Sequence, residues 1–238
     1  MVWGPWAGFL AGWGSCRWYN GHRMAKYPIF LEVKGRRAVV VGGGLVALRK
    51  VEGLLEAGAR VVVVAKQTCG AMARLCQEQS VELIRGRYSK EYLGQAALVI
   101  AATNDPQLNQ QIYEDCQQLE VLCNVVDRPE LCDFFVPAVV RRGDLVVAIG
   151  TEGFCPAYAS HLRKKLEEVI TVAHGEFLAE LEGMRKKLQR LVPDQTIRKG
   201  LLGQMVSDQS FVIFRDKGKA AWRRYARQLI RRCVDGSQ

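Results

Sequence analysis

The chain has 238 residues, a formal net charge of +10, and 49% hydrophobic residues. That length suits one large domain or two small ones, and that apolar content excludes a globally disordered chain. No uninterrupted apolar run approaches the roughly 20 residues a membrane-spanning helix needs. The basic excess is uneven: residues 160–238 hold 17 Lys and Arg against 9 Asp and Glu, a balance of +8. Residues 24–159 hold 15 of each sign, and the first 23 residues add +2. A basic C-terminal third attracts polyanions such as nucleic acid, anionic lipid or a polyanionic small molecule, although a solvated helix face is the commoner origin of any one charge run. The eight cysteines (16, 69, 76, 116, 123, 132, 155 and 233) are scattered, with no C-x-x-C pair. This usage points to a reducing, cytoplasmic setting and away from a disulfide framework or a structural zinc site.

Residues 1–23 hold four of the five tryptophans and no acidic residue. They show no periodicity, and their apolar part is too broken for a signal peptide. They are expected to be a poorly ordered extension, with Met24 as an alternative start. The first strong signal is Ala38-Val39-Val40-Val41, a β-branched run suited to a buried parallel strand. Gly42, Gly43 and Gly44 follow, and an amphipathic segment with Val46, Leu48, Val51, Leu54 and Leu55 begins at once. The pattern is G-x-G-x-x-A. Gly42 permits a tight turn, Gly44 lets a pyrophosphate approach the backbone, and Ala47 lets the helix pack near the strand. The N–H groups at the helix start are then available to phosphates. A glycine-rich turn without a nucleotide is the alternative, made less attractive by a second strand at 60–65.

Further strands are expected at 81–84, 97–102 and 121–125, and helices at 46–57, 69–78 and 106–118. Asn104 or Asp105 caps the last of these, with Pro106 in its first turn. Such alternation predicts a Rossmann-type α/β domain, a parallel sheet with helices on both faces. Residues 136–149 read as two strands joined at Arg142-Gly143-Asp144, and a helix follows over 157–169. Residues 171–234 read as helical and basic, with breaks near Pro193-Asp194 and Gly200.

Several blocks coincide with one family: Tyr27-Pro28-Ile29-Phe30-Leu31, Ala101-Ala102-Thr103-Asn104-Asp105, Cys123-Asn124-Val125-Val126-Asp127-Arg128-Pro129, Asp133-Phe134-Phe135-Val136-Pro137-Ala138 and Gly153-Phe154-Cys155-Pro156-Ala157. In this order they resemble precorrin-2 dehydrogenase, the NAD-dependent siroheme-synthase module. That module oxidises precorrin-2 to sirohydrochlorin, and some members also insert ferrous iron, which is then a substrate and not a bound cofactor. The resemblance covers about 24–190 well and the remainder loosely. It implies an NAD-binding Rossmann domain (24–136), a dimerisation region through which homodimers form (137–170), and a helical C-terminal domain (171–238). It also implies a polycarboxylate tetrapyrrole substrate, a partner for the basic third.

Asp127 is the first choice for catalysis. It lies just beyond a strand's C-terminal end, where open α/β sheets place ligands, and a carboxylate there could take a proton. It matches the family's essential aspartate; from the residues alone, capping the turn before Pro129 is an equal reading. Leu45 and Val46 match family positions that touch the dinucleotide through backbone, and Lys66 and Gln67 match positions beside the adenosine. No acid ends the second strand to grip a ribose hydroxyl, and Lys66 could favour a 2′-phosphate; the family nonetheless uses NAD. Thr103 and Asn104 end a strand near the expected cofactor site, where helix capping is an alternative role. Thr151 aligns with a family serine near the substrate. Arg141 and Arg142, with Arg163, Lys164 and Lys165, are candidates for substrate carboxylates. His174 is a candidate for iron or proton transfer, a satisfied histidine being the commoner case, and no dedicated metal cluster is evident. The competing functions are a non-catalytic NAD-sensing module and, more weakly, a nucleic-acid binder. No nucleic-acid or membrane partner is expected.

Overall fold

Five short segments form one parallel sheet in the computed structural model, which describes residues 26–79 and 81–235. The chain divides into two units, Met1–Glu32 and Val33–Gln238. In the first, residues 26–32 carry no regular secondary structure; the expected extension over 1–23 lies outside the described residues. The sheet belongs to the second unit. Its strands are β1 (Arg37–Val41), β2 (Arg60–Ala65), β3 (Glu82–Arg85), β4 (Ala96–Ala101) and β5 (Leu122–Val125). They lie in the order β3-β2-β1-β4-β5, and every neighbouring pair is parallel.

The central strands are continuous apolar runs because helices cover both faces. On one face α1 (Leu45–Glu56) and α2 (Gly70–Glu78) set Ala47, Val51, Met72 and Cys76 against Val40, Val63 and Ile100. On the other, α3 (Pro106–Gln118) sets Ile112 and Cys116 against Val39, Val64 and Val99. Val39 and Val40 thus face opposite sides, as the two-residue strand period requires. Asp105 caps α3, its Oδ1 accepting the Gln107 and Leu108 N–H groups at 3.0 and 3.1 Å. The chain steps outward from β1 through β2 to β3, then crosses back to β4. This reversal opens a crevice at the strands' C-terminal ends.

An antiparallel hairpin follows, β6 (Ala138–Arg142) and β7 (Leu145–Ile149), then α4 (Pro156–Val169). Arg142 ties them together: its Nε donates to the Ile170 carbonyl at 2.9 Å and its Nη2 to that of Glu167 at 3.3 Å, at the C-terminal end of α4. The remaining helices are α5 (Val172–Leu191), α6 (Gln195–Met205) and α7 (Asp208–Asp235). They share a core of Phe177, Leu188, Leu201, Met205, Phe214 and Trp222. Trp222 is fully buried and its indole N–H donates to Ser210 Oγ at 2.7 Å. The break near Pro193-Asp194 is present, with Asp194 Oδ1 accepting from Ile197 N–H at 2.8 Å.

The break expected at Gly200 is not there. Gly200 lies inside α6, where a glycine costs only about 1 kcal/mol and buried Leu201 and Met205, just beyond it, anchor the helix. The chain instead breaks at Val206-Ser207, where Ser207 Oγ accepts from Ser210 N–H at 3.3 Å, and α7 kinks at Gly218, whose φ is +79°. Among the described residues no helix is long and apolar enough to cross a membrane.

Candidate active site

A cavity of about 460 Å³ opens where β1, β2 and β4 end. The glycine turn after β1 forms its floor, Lys66 and Gln67 line one side, and Thr103, Asn104 and Asp105 line another. Each glycine of the turn has a different physical reason. Gly42 has φ +135°, and a Cβ there would lie 2.3 Å from the Ala102 carbonyl oxygen. A Cβ on Gly43 would lie 2.0 Å from the Gln67 carbonyl oxygen, so the turn and the end of β2 pack backbone to backbone. A Cβ on Gly44 would meet no atom within 4 Å. Its bare face opens on the space a phosphate needs. Gly44 also precedes α1, whose first turn has neither a side-chain cap nor an acidic residue. Its N–H groups are therefore available to an anion. This is a donor set fitted to a dinucleotide pyrophosphate.

Leu45 is 66% and Val46 37% exposed at the start of α1, and neither lines the cavity. Lys66 and Gln67 are exposed at the mouth of β2. Thr103 is held in place from α3: its hydroxyl donates to Asn109 Oδ1 at 2.7 Å, and Asn109 Nδ2 donates to the Thr103 carbonyl at 3.1 Å. Two residues of the site escaped the sequence reading. Gly43 occupies an unspecified position of the motif. Tyr88 lines the cavity just beyond β3, its hydroxyl donating to Asp115 Oδ2 at 3.0 Å. Burial, and then that bond, push the phenol well above its usual pKa, so it stays a neutral donor. An aromatic two residues after Gly86 at a strand end was the available signal.

Asp127 lies two residues past β5 with φ +60° and its side chain is exposed. The loop that carries it is clamped at the base. Asn124 bridges Cys132, Asn124 Nδ2 donates to the Phe134 carbonyl at 2.8 Å, and Asp133 Oδ2 accepts the Cys123 N–H at 2.8 Å. The Cys132 thiol lies 3.2 Å from both the Val125 and Arg128 carbonyls, and burial raises its pKa. Neither Asp127 nor Thr151 lines the dinucleotide cavity. Thr151 is half-buried at the end of β7, its carbonyl accepting from Phe154 N–H at 2.8 Å.

Of the basic candidates, Arg141, Lys164 and Lys165 are exposed, whereas Arg163 pairs with Glu167 and Arg142 is engaged with the end of α4. His174 accepts the Thr171 N–H on Nδ1 at 3.1 Å, and its ring centroid lies 4.2 Å from that of Phe211. It therefore caps and packs α5. Among the described residues no three His, Cys, Asp or Glu side chains gather as metal ligands do.

Comparison with known proteins adds four findings. Residues 29–138 match the family described as "Putative NAD(P)-binding". The chain is 39% identical over 176 residues to the siroheme synthase of Thioalkalivibrio sulfidiphilus (strain HL-EbGR7), covering 74% of this chain and 36% of that protein. It is 44% identical over 178 residues to the siroheme synthase of Pseudomonas putida (strain W619), covering 74% of this chain and 38% of that protein. The chain thus spans little more than a third of the length of these relatives. Its fold is similar to that of the solved "SirC, precorrin-2 dehydrogenase", with TM-score 0.71 at 24% identity over 87% of this chain and 100% of that one. The crevice at the strand reversal, the open glycine turn and these similarities lead to one conclusion: this chain is a homologue of the siroheme synthases and carries an NAD(P)-binding domain.

Proposed function

We propose that the chain oxidises precorrin-2 to sirohydrochlorin, with NAD⁺ as hydride acceptor and Asp127 as proton acceptor. The observation that carries this reading is a carboxylate held in a left-handed conformation on a clamped loop at the end of β5. It lies at the same C-terminal end of the parallel strands as the glycine turn, in a homologue of siroheme synthases. When bound, NAD⁺ supplies a two-electron sink for the hydride leaving the macrocycle. The chain's own residues do the rest. The α1 N–H groups and the bare face of Gly44 hold the pyrophosphate, and Lys66 and Gln67 flank the adenosine end. Asp127 takes the proton released as the ring gains a double bond and passes it to water, for which its exposure suits it. Precorrin-2 and NAD⁺ give sirohydrochlorin, NADH and one proton, so electrons and charge balance.

NAD⁺ in preference to NADP⁺ is part of the proposal, as is ferrous iron as a second substrate. Thr151 and Arg141 are proposed to meet the polycarboxylate ring, with Arg142 doing so only at the expense of its bonds to α4. A homodimer formed through 137–170 is proposed too, supported by exposed Tyr158 and Val169 within it and Val136 and Val172 at its margins, each more than half accessible. Anaerobic incubation of the chain with precorrin-2 and either dinucleotide tests the reading through NADH absorbance and the sirohydrochlorin spectrum. Binding of NAD⁺ without turnover would favour a non-catalytic sensing module. Iron addition to the same mixture tests chelation, and sedimentation tests the dimer.

A further inference from the structure

Lys50 lies on α1 between the fully buried Ala47 and Val51, and is itself half-buried. Its ammonium makes no hydrogen bond and no ion pair within 4 Å among the described residues. A cation drawn partly out of water with no counter-ion is unfavourable. Burial, with Arg49 acting in the same sense, lowers its pKa from the usual lysine value. Asp127 and Cys132 act the other way, so both ends of the clamped loop are within electrostatic reach of this one side chain. The packing accounts for that proximity. Val126, immediately before Asp127, and Phe134, just past the clamp, pack into the cluster that contains Ala47, Leu48 and Val51. The loop and α1 thus share one core cluster, with Lys50 one residue before its buried Val51. Among the described residues Asp127 forms no ion pair with Lys50, so the ammonium keeps its capacity to pair with another anion.

We propose that Lys50 is a substrate-positioning residue whose ammonium pairs with a carboxylate of the macrocycle and so sets the ring against Asp127. This rests on the tetrapyrrole reading above. A charge-assisted bond to a partly buried ammonium contributes about 1.5–3 kcal/mol, roughly a tenfold to hundredfold effect on affinity. The test uses the full chain under anaerobic conditions, with sirohydrochlorin as probe. Lys50→Met is expected to weaken sirohydrochlorin binding at least about tenfold and to raise KM for precorrin-2 by a similar factor, with kcat little changed. NAD⁺ affinity stays as in the unmodified chain, and Lys50→Arg, which keeps the charge, recovers most of the loss. Unchanged sirohydrochlorin binding by Lys50→Met overturns the proposal. So does a parallel loss of NAD⁺ affinity, which would assign the charge to the cofactor, and so does failure of Lys50→Arg to recover binding. If the unmodified chain neither binds sirohydrochlorin nor oxidises precorrin-2, the functional reading fails and this inference with it. If it does both and Lys50→Met matches it, only the role of Lys50 falls.

Discussion

Gly43 and Gly44 are adjacent, yet the structure gives alanine at each a different consequence. At Gly43 the new methyl would lie 2.0 Å from the Gln67 carbonyl oxygen and 2.9 Å from Thr68 Cα. Both are backbone atoms, so the glycine turn and the end of β2 must separate by more than 1 Å to restore ordinary contact. Overpacking of this kind costs about 1–3 kcal/mol. For a unit of this size that corresponds to a fall in Tm of roughly 2–12 °C. At Gly44, φ is −85° and ψ −177°, which alanine adopts freely, and no atom lies within reach of its methyl. Folding should change by no more than about 1 kcal/mol, the loss of a glycine N-cap partly offset by a less flexible unfolded chain. The methyl would fill the space a pyrophosphate needs, and NAD⁺ affinity should fall at least about tenfold, or 1.4 kcal/mol. Thermal unfolding followed by circular dichroism, and calorimetric titration with NAD⁺, measure the two effects separately. A Gly44→Ala protein that binds NAD⁺ like the unmodified chain would refute the placement of the pyrophosphate. A Gly43→Ala protein with unchanged Tm would refute the packing argument.

Three other outcomes are expected. Arg142→Ala removes two hydrogen bonds to the last carbonyls of α4 and should lower stability by about 1–3 kcal/mol; denaturant unfolding checks this, and an unchanged midpoint would free Arg142 for the substrate. Tyr88→Phe loses only the bond to Asp115 and should keep NAD⁺ affinity within about threefold, whereas Tyr88→Ala removes a wall of the cavity and should weaken it about tenfold, as titration would show. Glu180 hydrogen-bonds Arg223, which holds its pKa below the usual 4.5. A depressed folded-state pKa gives stability that is fully present above the unfolded value and lost as pH falls through the folded one. The stability difference between the unmodified chain and Arg223→Ala should therefore shrink as pH drops below about 4.5, and a difference constant down to pH 3 would contradict it.

The strands were legible because their reasons are local. Runs such as Arg60–Ala65 are β-branched and uninterrupted, and burial on both faces demands that composition. Asp105-Pro106 announced α3 for an equally local reason. What stayed hidden depends on partners distant in sequence. Gly43 is constrained by Gln67 and Gly175 by the Arg142 carbonyl 2.1 Å from where its Cβ would stand, and Lys50 feels the charge of a residue nearly eighty positions away. The misplaced break at Gly200 shows the same limit from the other side. Glycine is a weak helix breaker when neighbouring residues are buried, and Ser207, with a cap to offer, was the better signal. Arg142 looked available to a carboxylate until its helix-end partners were visible.

The central claim is that Asp127 takes a proton as precorrin-2 is oxidised. The most direct measurement compares NADH formation by the unmodified chain and by Asp127→Asn, under anaerobic conditions with saturating NAD⁺ and precorrin-2. Asp127 is exposed and stands outside the dinucleotide cavity, so the variant should fold and bind NAD⁺ normally. The account predicts that its rate falls by about two to four orders of magnitude. A rate within a few-fold of the unmodified chain would contradict it.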